Sequence, residues 1–485
     1  MPEIPIANGF YVSDSLPISH QQCINFIPIA QQLPSLSQRQ LIGSDGIRGI
    51  EDSGGGSDDI NRGAHVMADL PYFVQGSDFY RLDRSFVAGV ETFTLVKLTI
   101  IPYVTTIEGT GRVSMADNGT QLMILVPGGK GYIYTVMGGL VEIVDPDFTA
   151  NGNPQYVQYI DGYFACSTDS KKWIVSGLND GTSWDALDFG TAEADPDLIV
   201  APIVHNNQIF MTGSETTEGF VNIGGAGFPF QRNNVYLDKG CYAPFSLVST
   251  NQRFFMIGGG KNERAAVWQY AGGGFSKVST IVIDEVLNSY SDNVLEASFA
   301  ISWAKRGQYY IAFVFTDRAF IYNTTTNLWH EQRSGITIDD NLEQLRWRVN
   351  SLVTAYGYTI VGDSQDGRIG ILDGDTYQEY ETDIIRLFTS PPIFNGTNAF
   401  RLPSIELTME SGVGNGVTEP MVSMAISKDA KTFGYERNRK IGRIGEYKKR
   451  QIWRKNGRIP RFCNLRFRVS DAIKPVAIRL DATII

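Results

Sequence analysis

A short apolar strand, a turn residue and a second strand rich in β-branched or aromatic residues recur between about residues 70 and 375. The turn residues follow one another at intervals of 43, 43, 45, 44, 56 and 50 positions. They are Gly76, Gly119, Gly162, Asn207, Asn251, Gly307 and Gly357. A period in the forties with two or more strands per repeat is typical of β-propeller blades. The spacing therefore predicts a propeller of six or seven blades, and two packed β-sandwiches with evenly spaced hairpins are the alternative.

Each repeat needs its neighbours to be stable. A unit of two to four strands cannot bury both faces of its sheet alone, so it gains stability by stacking on similar units around an axis. Several repeats offer a further, outer strand, and a short helix is predicted over 283–290. The predicted outer strands cover 132–134, 267–270, 319–322 and 369–372.

The pattern changes after Asp373, and Pro391-Pro392 marks a boundary because successive prolines interrupt regular structure. Beyond it apolar and polar residues alternate, which indicates strands with one buried and one solvent-facing side. The residues predicted to face the core are Ile405, Leu407, Met409, Val422, Met424, Ile426, Cys463, Leu465, Phe467, Val469, Val476, Ile478 and Leu480. Asn456-Gly457 predicts a two-residue hairpin, since both central positions of that turn need positive φ.

These patterns place the chain in the all-β class, as a six- or seven-bladed β-propeller followed by a small antiparallel β-sandwich. The propeller is predicted at 66–378 and the sandwich, which is basic, at 379–485. Residues 1–65 are rich in Gly, Pro, Ser and Gln and show little periodicity. They are predicted to form an extended arm that packs against later parts of the chain or against a neighbour.

Charge is distributed unevenly along the chain. Residues 431–468 contain fourteen Lys or Arg and two Glu, a local net charge of +12. The other 447 residues contain 28 bases and 50 acids, a net charge of −22. An acidic body therefore ends in a basic module, and such asymmetry indicates a charged partner rather than a particular fold.

The density of bases is highest between about residues 447 and 461. Like charges this close repel one another unless a partner compensates them, and nucleic acid or an acidic protein has the required charge. The candidate partner-docking residues are Lys448, Lys449, Arg450, Arg454, Lys455, Arg458 and Arg461. Arg466 and Arg468 have a simpler interpretation as the solvated face of an edge strand, where positive side chains discourage pairing with other strands.

The sequence offers little for catalysis, and no cofactor, metal or catalytic residue is predicted. Its four histidines have no helical metal-ligand spacing, and Gly258-Gly259-Gly260-Lys261 lacks the upstream Gly and following Ser or Thr of a phosphate-binding loop. Asp145 to Gly152 and Asp363 to Gly367 resemble incomplete calcium loops, but turn aspartates bonded to nearby amides are the preferred interpretation. Asp185 and Asp188 follow Trp184 closely and could be considered as a glycosidase pair, a claim that would need their separation in the fold. Packing of Trp184 between blades is the preferred interpretation.

The four cysteines, Cys23, Cys166, Cys241 and Cys463, are far apart and form no CxxC pair, so they are predicted to be reduced. The first eleven residues lack the basic start and apolar core of a signal peptide, and no apolar run reaches about 18 residues. The sequence therefore predicts synthesis in a reducing cytoplasm and no membrane insertion of its own.

Several segments resemble the packaged-DNA stabilisation proteins of short-tailed bacteriophages, also called tail hub or nozzle proteins. The segments are Cys23-Ile24-Asn25, Gly109-Thr110-Gly111-Arg112-Val113-Ser114-Met115-Ala116, Ser183-Trp184-Asp185-Ala186-Leu187-Asp188-Phe189 with Ala192-Glu193 and Pro196-Asp197, and Gln451-Ile452-Trp453-Arg454-Lys455-Asn456-Gly457-Arg458-Ile459-Pro460-Arg461. They occur in the corresponding order and span most of the chain.

The resemblance implies a structural virion protein that assembles, as a hexamer, beneath the portal and its adaptor ring. It implies closure of the DNA exit after packaging, contact with a tail needle or plug and with tailspikes or fibres, and passage of double-stranded DNA during ejection. It brings no catalytic residues. The basic module is then expected to dock an acidic neighbour, either the adaptor or the adjacent subunit.

Two other classes of function stay open at this stage. A glycan-binding or glycan-cleaving propeller would use Trp184, Trp268 and Trp303 as stacking platforms. A DNA-binding protein would use the basic module, and its binding to duplex DNA would weaken steeply with salt.

Overall fold

A computed structural model describes residues 3–6, 8–31, 35–192, 197–225, 227–250, 252–338, 341–414, 416 and 419–485. The chain forms two compact units. We call Gly49–Trp303 with Arg348–Ile371 the propeller unit, and Met1–Arg48 with Ala304–Trp347 and Leu372–Ile485 the sandwich unit.

Five antiparallel sheets follow one another in the propeller unit, and each is formed by consecutive strands. Sheet 1 consists of Asn61–Met67, Leu70–Gln75, Asp78–Val87 and Val90–Lys97. Sheet 2 consists of Ser114–Asp117, Gln121–Val126, Lys130–Thr135 and Gly139–Glu142, and sheet 3 of Pro154–Ile160, Tyr163–Thr168, Lys172–Gly177 and Asp180–Thr191. Sheet 4 consists of Ile199–His205, Gln208–Gly213, Thr217–Asn222 and Phe230–Leu237. Sheet 5 consists of Gly240–Cys241, Val248–Thr250, Arg253–Gly259, Ala266–Tyr270 and Phe275–Lys277.

Beyond sheet 5 the propeller unit has two further strands that begin a repeat, Phe299–Lys305 and Val349–Ala355. Phe299–Lys305 follows sheet 5, and Val349–Ala355 pairs with Tyr358–Asp363, which pairs with Arg368–Asp373. Residues from seven successive segments, one at the start of each repeat, surround a cavity of about 250 Å³. Among the lining residues are Ala64, Ser114, Val157, Ala201, Leu247, Ile301 and Leu352. The described residues thus place seven inner segments around a common cavity, as radial stacking of blades requires.

The core of the propeller unit lies between consecutive sheets. One apolar cluster joins sheets 1 and 2, where the Tyr72 and Tyr134 rings are 5.4 Å apart, and others join sheets 2 and 3, 3 and 4, and 4 and 5. A further cluster packs Phe73 of sheet 1 against Ile360 and Ile369. The predicted β-propeller is therefore confirmed: apolar clusters between the sheets bury their faces, as the stacking of repeats requires.

Helices are few and short. The α-helix α1 covers Ile281–Ser289 and α2 covers Asp292–Glu296, so the predicted helix over 283–290 is confirmed. Short 3-10 helices cover Gly56–Asp59, Pro146–Thr149 and Pro244–Ser246. Within the described ranges, none of the helices has the length and apolar character needed to cross a bilayer.

Most predicted turn positions are confirmed, but the first repeat was placed wrongly. Gly119 and Gly162 each lie between the first and second strands of a sheet, whereas Gly76 lies between the second and third strands of sheet 1. The equivalent turn of sheet 1 is Ala68-Asp69, with φ values of 50° and 63°. The sequence does not mark this turn, because it contains neither Gly nor Asn, and for that reason the pattern of repeats does not predict the strand Asn61–Met67. Asn251 lies outside the described residues, as do Glu193 and Pro196.

The described residues of the sandwich unit include two large sheets. The first has the order Gln451–Arg454, Ser404–Met409, Val476–Ala482, Arg39–Gly43 and Phe26–Ala30, with Glu3–Ile4 also paired to Val476–Ala482. The second has the order Leu328–Ile338, Cys23–Ile24, Arg386–Thr389, Phe462–Val469, Met421–Ser427 and Arg437–Lys440, with Ile393–Phe394 on Phe462–Val469. Gln308–Val314, Ala319–Asn323, Leu328–Ile338 and Asn341–Arg346 form an antiparallel meander. The remaining pairs are Tyr11–Val12 with His20–Gln21, Gln378–Glu379 with Thr382–Asp383, and Phe400–Arg401 with Arg458–Ile459, and Gly46–Asp52 lies beside Gln378–Glu379.

The N-terminal segment belongs to both sandwich sheets. Between two of its strands, Asn25 is buried with φ of 55°, and its amide nitrogen donates to the carbonyls of Arg333 and Ile385 at 2.9 and 2.8 Å. Phe26 packs edge-on against Phe388 with ring centroids 5.4 Å apart. The N-terminal segment thus packs against later parts of the chain by adding strands to both sandwich sheets.

The predicted alternation is confirmed in two strands, holds only in part in a third and is wrong in a fourth. In Met421–Ser427, Val422 and Met424 are buried as predicted, but Ala425 is also buried and Ile426 is only partly buried. Ile405 and Leu407 are fully buried, as are Cys463, Leu465 and Phe467. In Val476–Ala482 the buried residues are instead Ala477, Leu480 and Ala482. The pairing to Ser404–Met409 shifts there, since Thr408 opposes Arg479 and Met409 opposes Ala477. This bulge at Ile478 changes which residues of the strand face the core, so Ala477 is buried there instead of Val476 and Ile478.

The predicted hairpin at Asn456-Gly457 is wrong. The preceding strand Gln451–Arg454 pairs with Ser404–Met409, and the following strand Arg458–Ile459 pairs with Phe400–Arg401. Positive φ values occur at Lys455 (58°) and Gly457 (83°) rather than at both central positions. Asn456 is instead buried, and its backbone N–H donates to the carbonyl of Leu402 at 3.2 Å. The segment therefore leaves one sheet rather than folding back on itself.

Candidate docking surface

The seven predicted docking bases all have exposed side chains. They lie on the segment that enters strand Gln451–Arg454 of the first sandwich sheet, leaves it, and continues to Phe462–Val469 of the second. We call this set the basic surface; it comprises Lys448, Lys449, Arg450, Arg454, Lys455, Arg458 and Arg461. The two strands belong to different sheets, so the basic stretch does not form one paired ribbon.

A buried tryptophan fixes this segment. Trp453 has no exposed surface, and its indole N–H donates to the carbonyl of Arg437 at 2.7 Å. Its ring meets Phe467 of the opposite sheet edge-on at 5.7 Å between centroids. Because Trp453 points inward, its neighbours Ile452 and Arg454 point to the other side of the strand.

Two members of the basic surface have acidic partners within the molecule. Arg450 forms two hydrogen bonds with the carboxylate of Glu406, at 2.7 and 2.6 Å, and this pairing raises the pKa of Arg450. Lys449 lies 3.4 Å from Glu419, which also binds Lys440 at 2.6 Å. The hydrogen bond from Lys440, with that from Lys449, holds the pKa of Glu419 below its usual value. Internal acids therefore compensate part of the predicted repulsion.

The other five bases differ in this respect. Within the part of the chain that the structure describes, no acidic group lies within 4.0 Å of their charged ends. They are Lys448, Arg454, Lys455, Arg458 and Arg461. Exposed, uncompensated cations of this density are available to an external anion, whereas Lys449 and Arg450 would first have to exchange partners.

Arg466 and Arg468 do not form the face of an edge strand, and that interpretation is wrong. Their strand lies between two others, Arg386–Thr389 and Met421–Ser427. Both guanidinium groups bind Glu436, at 3.3 and 2.6 Å, and Arg466 also lies over the Phe433 ring at 4.4 Å. These two arginines are part of a partly buried charge pair on the sheet.

Arg401 was missed because it lies thirty residues before the basic stretch. Its strand pairs with Arg458–Ile459, so that Arg401 stands directly opposite Arg458. Charge density along the sequence gives no sign of this neighbour. Only the pairing of Phe400–Arg401 with the basic segment brings the two arginines together.

The acidic segments considered for calcium are occupied by local contacts. The Asp145 carboxylate accepts the backbone N–H groups of Asp147 and Trp184, at 3.0 and 2.9 Å. Asp363 forms a buried ion pair with Arg348. Among the described residues, no group of three or more His, Cys, Asp or Glu side chains has an arrangement that holds a metal ion. The interpretation of Asp145 as a turn aspartate is confirmed.

The tryptophans proposed as glycan platforms are not arranged as platforms. Trp184 is 6% exposed and packs on Phe148 at 4.8 Å between sheets 2 and 3, which confirms the predicted packing between blades. Trp303 is 8% exposed, and the ammonium of Lys239 lies 4.9 Å from the Trp268 ring centroid. Partial burial raises the pKa of Asp188, and nearby Asp185 adds to this rise. Trp184 and Trp303 are therefore too buried to offer a flat aromatic surface to a sugar, whereas Trp268 is only partly buried and lies against Lys239.

The cysteines are all buried and free, as predicted. Burial raises the pKa of Cys463 to about 12, and it raises the pKa of Cys241 to about 12. Thiols with raised pKa values are poor nucleophiles and poor metal ligands. They act as small apolar side chains in the two cores.

The two units and the basic surface define a class of protein: an all-β protein with a propeller, a sandwich and a strongly basic exposed surface. The family model described as Bacteriophage P22 Gp10, beta-propeller, matches residues 2–377. The model described as Bacteriophage P22 Gp10, beta-sandwich, matches residues 385–484. The chain therefore belongs to the bacteriophage P22 Gp10 family.

Tail hub protein gp10 of Salmonella phage P22 is 23% identical to this chain over 382 residues, which cover 75% of this chain and 78% of that protein. Family membership and this relative confirm the predicted resemblance, and they identify the chain as a tail hub protein with a structural role in the virion tail. Two solved structures are also loosely similar to this chain. A computationally designed protein, Ika8, has a TM-score of 0.37 at 11% identity over 68% of this chain and 99% of its own. The WD40 propeller domain of Doa1 has a TM-score of 0.38 at 11% identity over 68% of this chain and 98% of its own.

Proposed function

We propose that this tail hub assembles as a hexameric ring beneath the portal and its adaptor ring, closes the DNA exit after packaging and forms part of the conduit for ejection. In this role it contacts a tail needle or plug and tailspikes or tail fibres, and it acts without catalysis. The observation that carries the proposal is the set of exposed, uncompensated bases on an otherwise acidic chain of the tail hub family.

The charge distribution supports a division of roles. DNA contacts that release counterions at six to ten phosphates bind tightly, and a rise in salt weakens them by roughly three to five decades. A conduit lined in that way would retain the genome that it must release. We assign the low-friction wall to the acidic propeller unit, and the docking of an acidic neighbour to the basic surface of the sandwich unit.

The structure narrows the residues that best test docking. Lys449 and Arg450 are engaged with Glu419 and Glu406, so reversing them would also create repulsion inside the molecule. Lys448, Arg454 and Arg461 are exposed and uncompensated among the described residues, so their reversal acts mainly on the partner.

The test reverses these three charges, as Lys448→Glu, Arg454→Glu and Arg461→Glu, and adds the purified protein to DNA-filled heads that carry the adaptor. We expect an unchanged melting temperature, loss of sedimentation with the heads, and leakage of DNA. The matched control reverses three exposed bases of the propeller unit, Lys171→Glu, Lys261→Glu and Arg264→Glu, and should still join and seal the heads. Sealing by the first variant as well would refute the docking role.

Stoichiometry is tested separately. Electron microscopy of the protein alone and on adaptor-loaded heads should show isolated copies in the first sample and six-fold rings in the second. Rings with another symmetry would overturn the hexamer and leave the docking proposal to the charge-reversal experiment.

A further inference from the structure

A pocket of about 440 Å³ lies where the basic segment crosses the edge of the sandwich. Three cations line it, Arg401, Lys455 and Arg458, together with Leu402 and Pro403. All three cationic side chains are exposed, and among the described residues no acidic group lies within 4.0 Å of their charged ends. The pocket is therefore cationic and uncompensated.

The backbone pairing makes this arrangement unfavourable for the isolated chain. Arg401 and Arg458 are direct partners in a two-stranded antiparallel pair. Like charges that face each other across a strand pair destabilise it. Lys455 adds a third positive charge from a residue with φ of 58°, a conformation that few residues other than Gly adopt. An anion held between the two guanidinium groups would remove this repulsion.

The walls of the pocket are fixed rather than loose. The backbone N–H groups of Lys455 and Asn456 donate to the carbonyls of Pro403 and Leu402, at 3.0 and 3.2 Å. The Asn456 side chain is buried, donates to the Trp453 carbonyl at 3.0 Å and accepts from Arg437. The cationic side chains therefore project from a framework whose position does not depend on the ligand.

We propose that this pocket binds the carboxylates of an acidic peptide segment on a partner protein. Guanidinium groups bind carboxylates through paired parallel hydrogen bonds, and two facing arginines suit neighbouring carboxylates. Leu402 and Pro403 offer apolar surface to the aliphatic part of a Glu side chain. Phosphate sites usually supply free backbone N–H groups, whereas those of Leu402, Lys455 and Asn456 already donate to carbonyls. This inference deepens the proposed docking role and rests on it.

The test measures binding of a fluorescein-labelled hexaglutamate peptide to the full-length protein by anisotropy at low salt. Arg401→Glu should lower the affinity by about tenfold or more, since it removes one arginine and places an internal carboxylate opposite Arg458. The variant should fold at least as stably as the parent chain because the cross-strand pair becomes attractive. Arg401→Leu, which removes only the charge, should give a smaller loss.

The matched control is Arg264→Glu, the same change at an exposed arginine of the propeller unit, which should alter peptide affinity by less than about twofold because Arg264 does not line the pocket and solvent ions screen its charge. Equal losses in the two variants would overturn the pocket and leave only a general charge effect. Inorganic phosphate should displace the peptide no better than chloride at equal ionic strength, and selective displacement by phosphate would refute the carboxylate assignment. Tighter, Arg401-dependent binding of a short duplex DNA would assign the pocket to nucleic acid instead.

These results separate the two proposals. The docking role is tested with Lys448, Arg454 and Arg461, which lie outside the pocket, and with assembled heads. Loss of peptide binding in Arg401→Glu together with normal docking of that variant would show that the pocket is not part of the docking contact.

Discussion

The two units of this protein build their cores in opposite ways. In the propeller unit each of the five sheets is made from consecutive strands, and all but one of the apolar clusters described above join sheets that follow one another along the chain. The exception joins Phe73 of sheet 1 to Ile360 and Ile369. In the sandwich unit one cluster gathers residues from both ends of the chain, including Ile4, Phe26, Leu41 and Leu480. Local pairing needs little loop closure, whereas the sandwich requires contacts across more than four hundred residues. The propeller is thus a series of similar interfaces, and the sandwich is a single structure that needs all its parts.

Buried charge gives the propeller unit its most sensitive point. Arg348 and Asp363 have side chains that are 2% and 0% exposed, and the Arg348 Nε donates to Asp363 at 2.7 Å. Burial raises the pKa of Asp363, and Arg348 opposes this rise. Asp363→Ala removes the nearer carboxylate of a buried guanidinium, whose other acidic neighbour, Asp366, lies 3.8 Å away. This change should cost about 3–5 kcal/mol in the free energy of unfolding. Chemical denaturation measures this loss.

A more exposed pair provides the control. Arg368 binds Asp366 at 2.7 Å, with side chains 31% and 25% exposed. Arg368→Gln should cost no more than about 1 kcal/mol, as for other partly solvated pairs. If Asp363→Ala costs as little, the hairpin formed by Val349–Ala355 and Tyr358–Asp363 is open to solvent, and the two ion pairs do not differ in their contribution to stability.

The N-terminal strands test whether the sandwich depends on its distant parts. Leu41 is fully buried and opposes both Pro28 and Ala477. Leu41→Ala should lower the free energy of unfolding by about 2–5 kcal/mol, through lost apolar burial and the cavity that remains. Leu36, five residues earlier and 66% exposed, is the matched control, and Leu36→Ala should change stability by less than about 0.5 kcal/mol. Equal effects would mean that the N-terminal segment is not part of this core.

A buried histidine should make the sandwich unit sensitive to acid. Complete burial lowers the pKa of His330 to about 3, while the unfolded chain protonates near 6.5. Between these values only the unfolded state takes up the proton, so stability falls as pH falls. At pH 5 the loss is about 2 kcal/mol relative to pH 7. Burial also raises the pKa of the adjacent Glu331, whose contribution has the opposite sign because the folded state takes up that proton first.

The comparison of parent and His330→Leu isolates this effect, since both chains carry Glu331. We expect the stability of the parent relative to the variant to fall by about 2 kcal/mol between pH 7 and pH 5 in urea denaturation. Between pH 7 and pH 8 the difference should stay constant. A constant difference across the whole range would show that His330 is hydrated in the folded protein.

The difference between local pairing in the propeller unit and long-range pairing in the sandwich unit explains which elements could be predicted from the sequence. Periodicity reports local repeats, so the hairpins around Gly119 and Gly162 were predicted correctly. It reports nothing about strand pairing between distant segments, so the strands formed by Cys23–Ile24 and Arg39–Gly43 appeared only as an arm. Alternation predicted the inward face of Cys463 and Phe467 but not the bulge at Ile478, because a bulge is set by the partner strand.

The candidate surface divides in the same way. Its exposed bases were visible from charge density, but the pairing of Lys449 with Glu419 and of Arg450 with Glu406 was not, because these acids lie more than twenty-five residues away. Arg401 was invisible for the same reason. The position of the basic surface was therefore predictable from the sequence, but the internal acidic partners of Lys449 and Arg450 were not.

The smallest predicted effect concerns those internal acids. Glu419 lies within 4.0 Å of Lys440, Arg443 and Lys449, all of them substantially exposed. Surface pairs of this kind contribute little to stability, so Glu419→Gln should leave the melting temperature unchanged within error. It should nevertheless strengthen binding of the hexaglutamate peptide about twofold at low salt, since Lys440, Arg443 and Lys449 each lose this acidic neighbour, and the gain should vanish at high salt because the charges are screened. Glu263→Gln, which removes one of the two acidic partners of Lys239 on the propeller unit, should give no gain. A gain in both variants would mean that the peptide reports total charge, and the division between an acidic body and a basic docking face would lose its functional meaning.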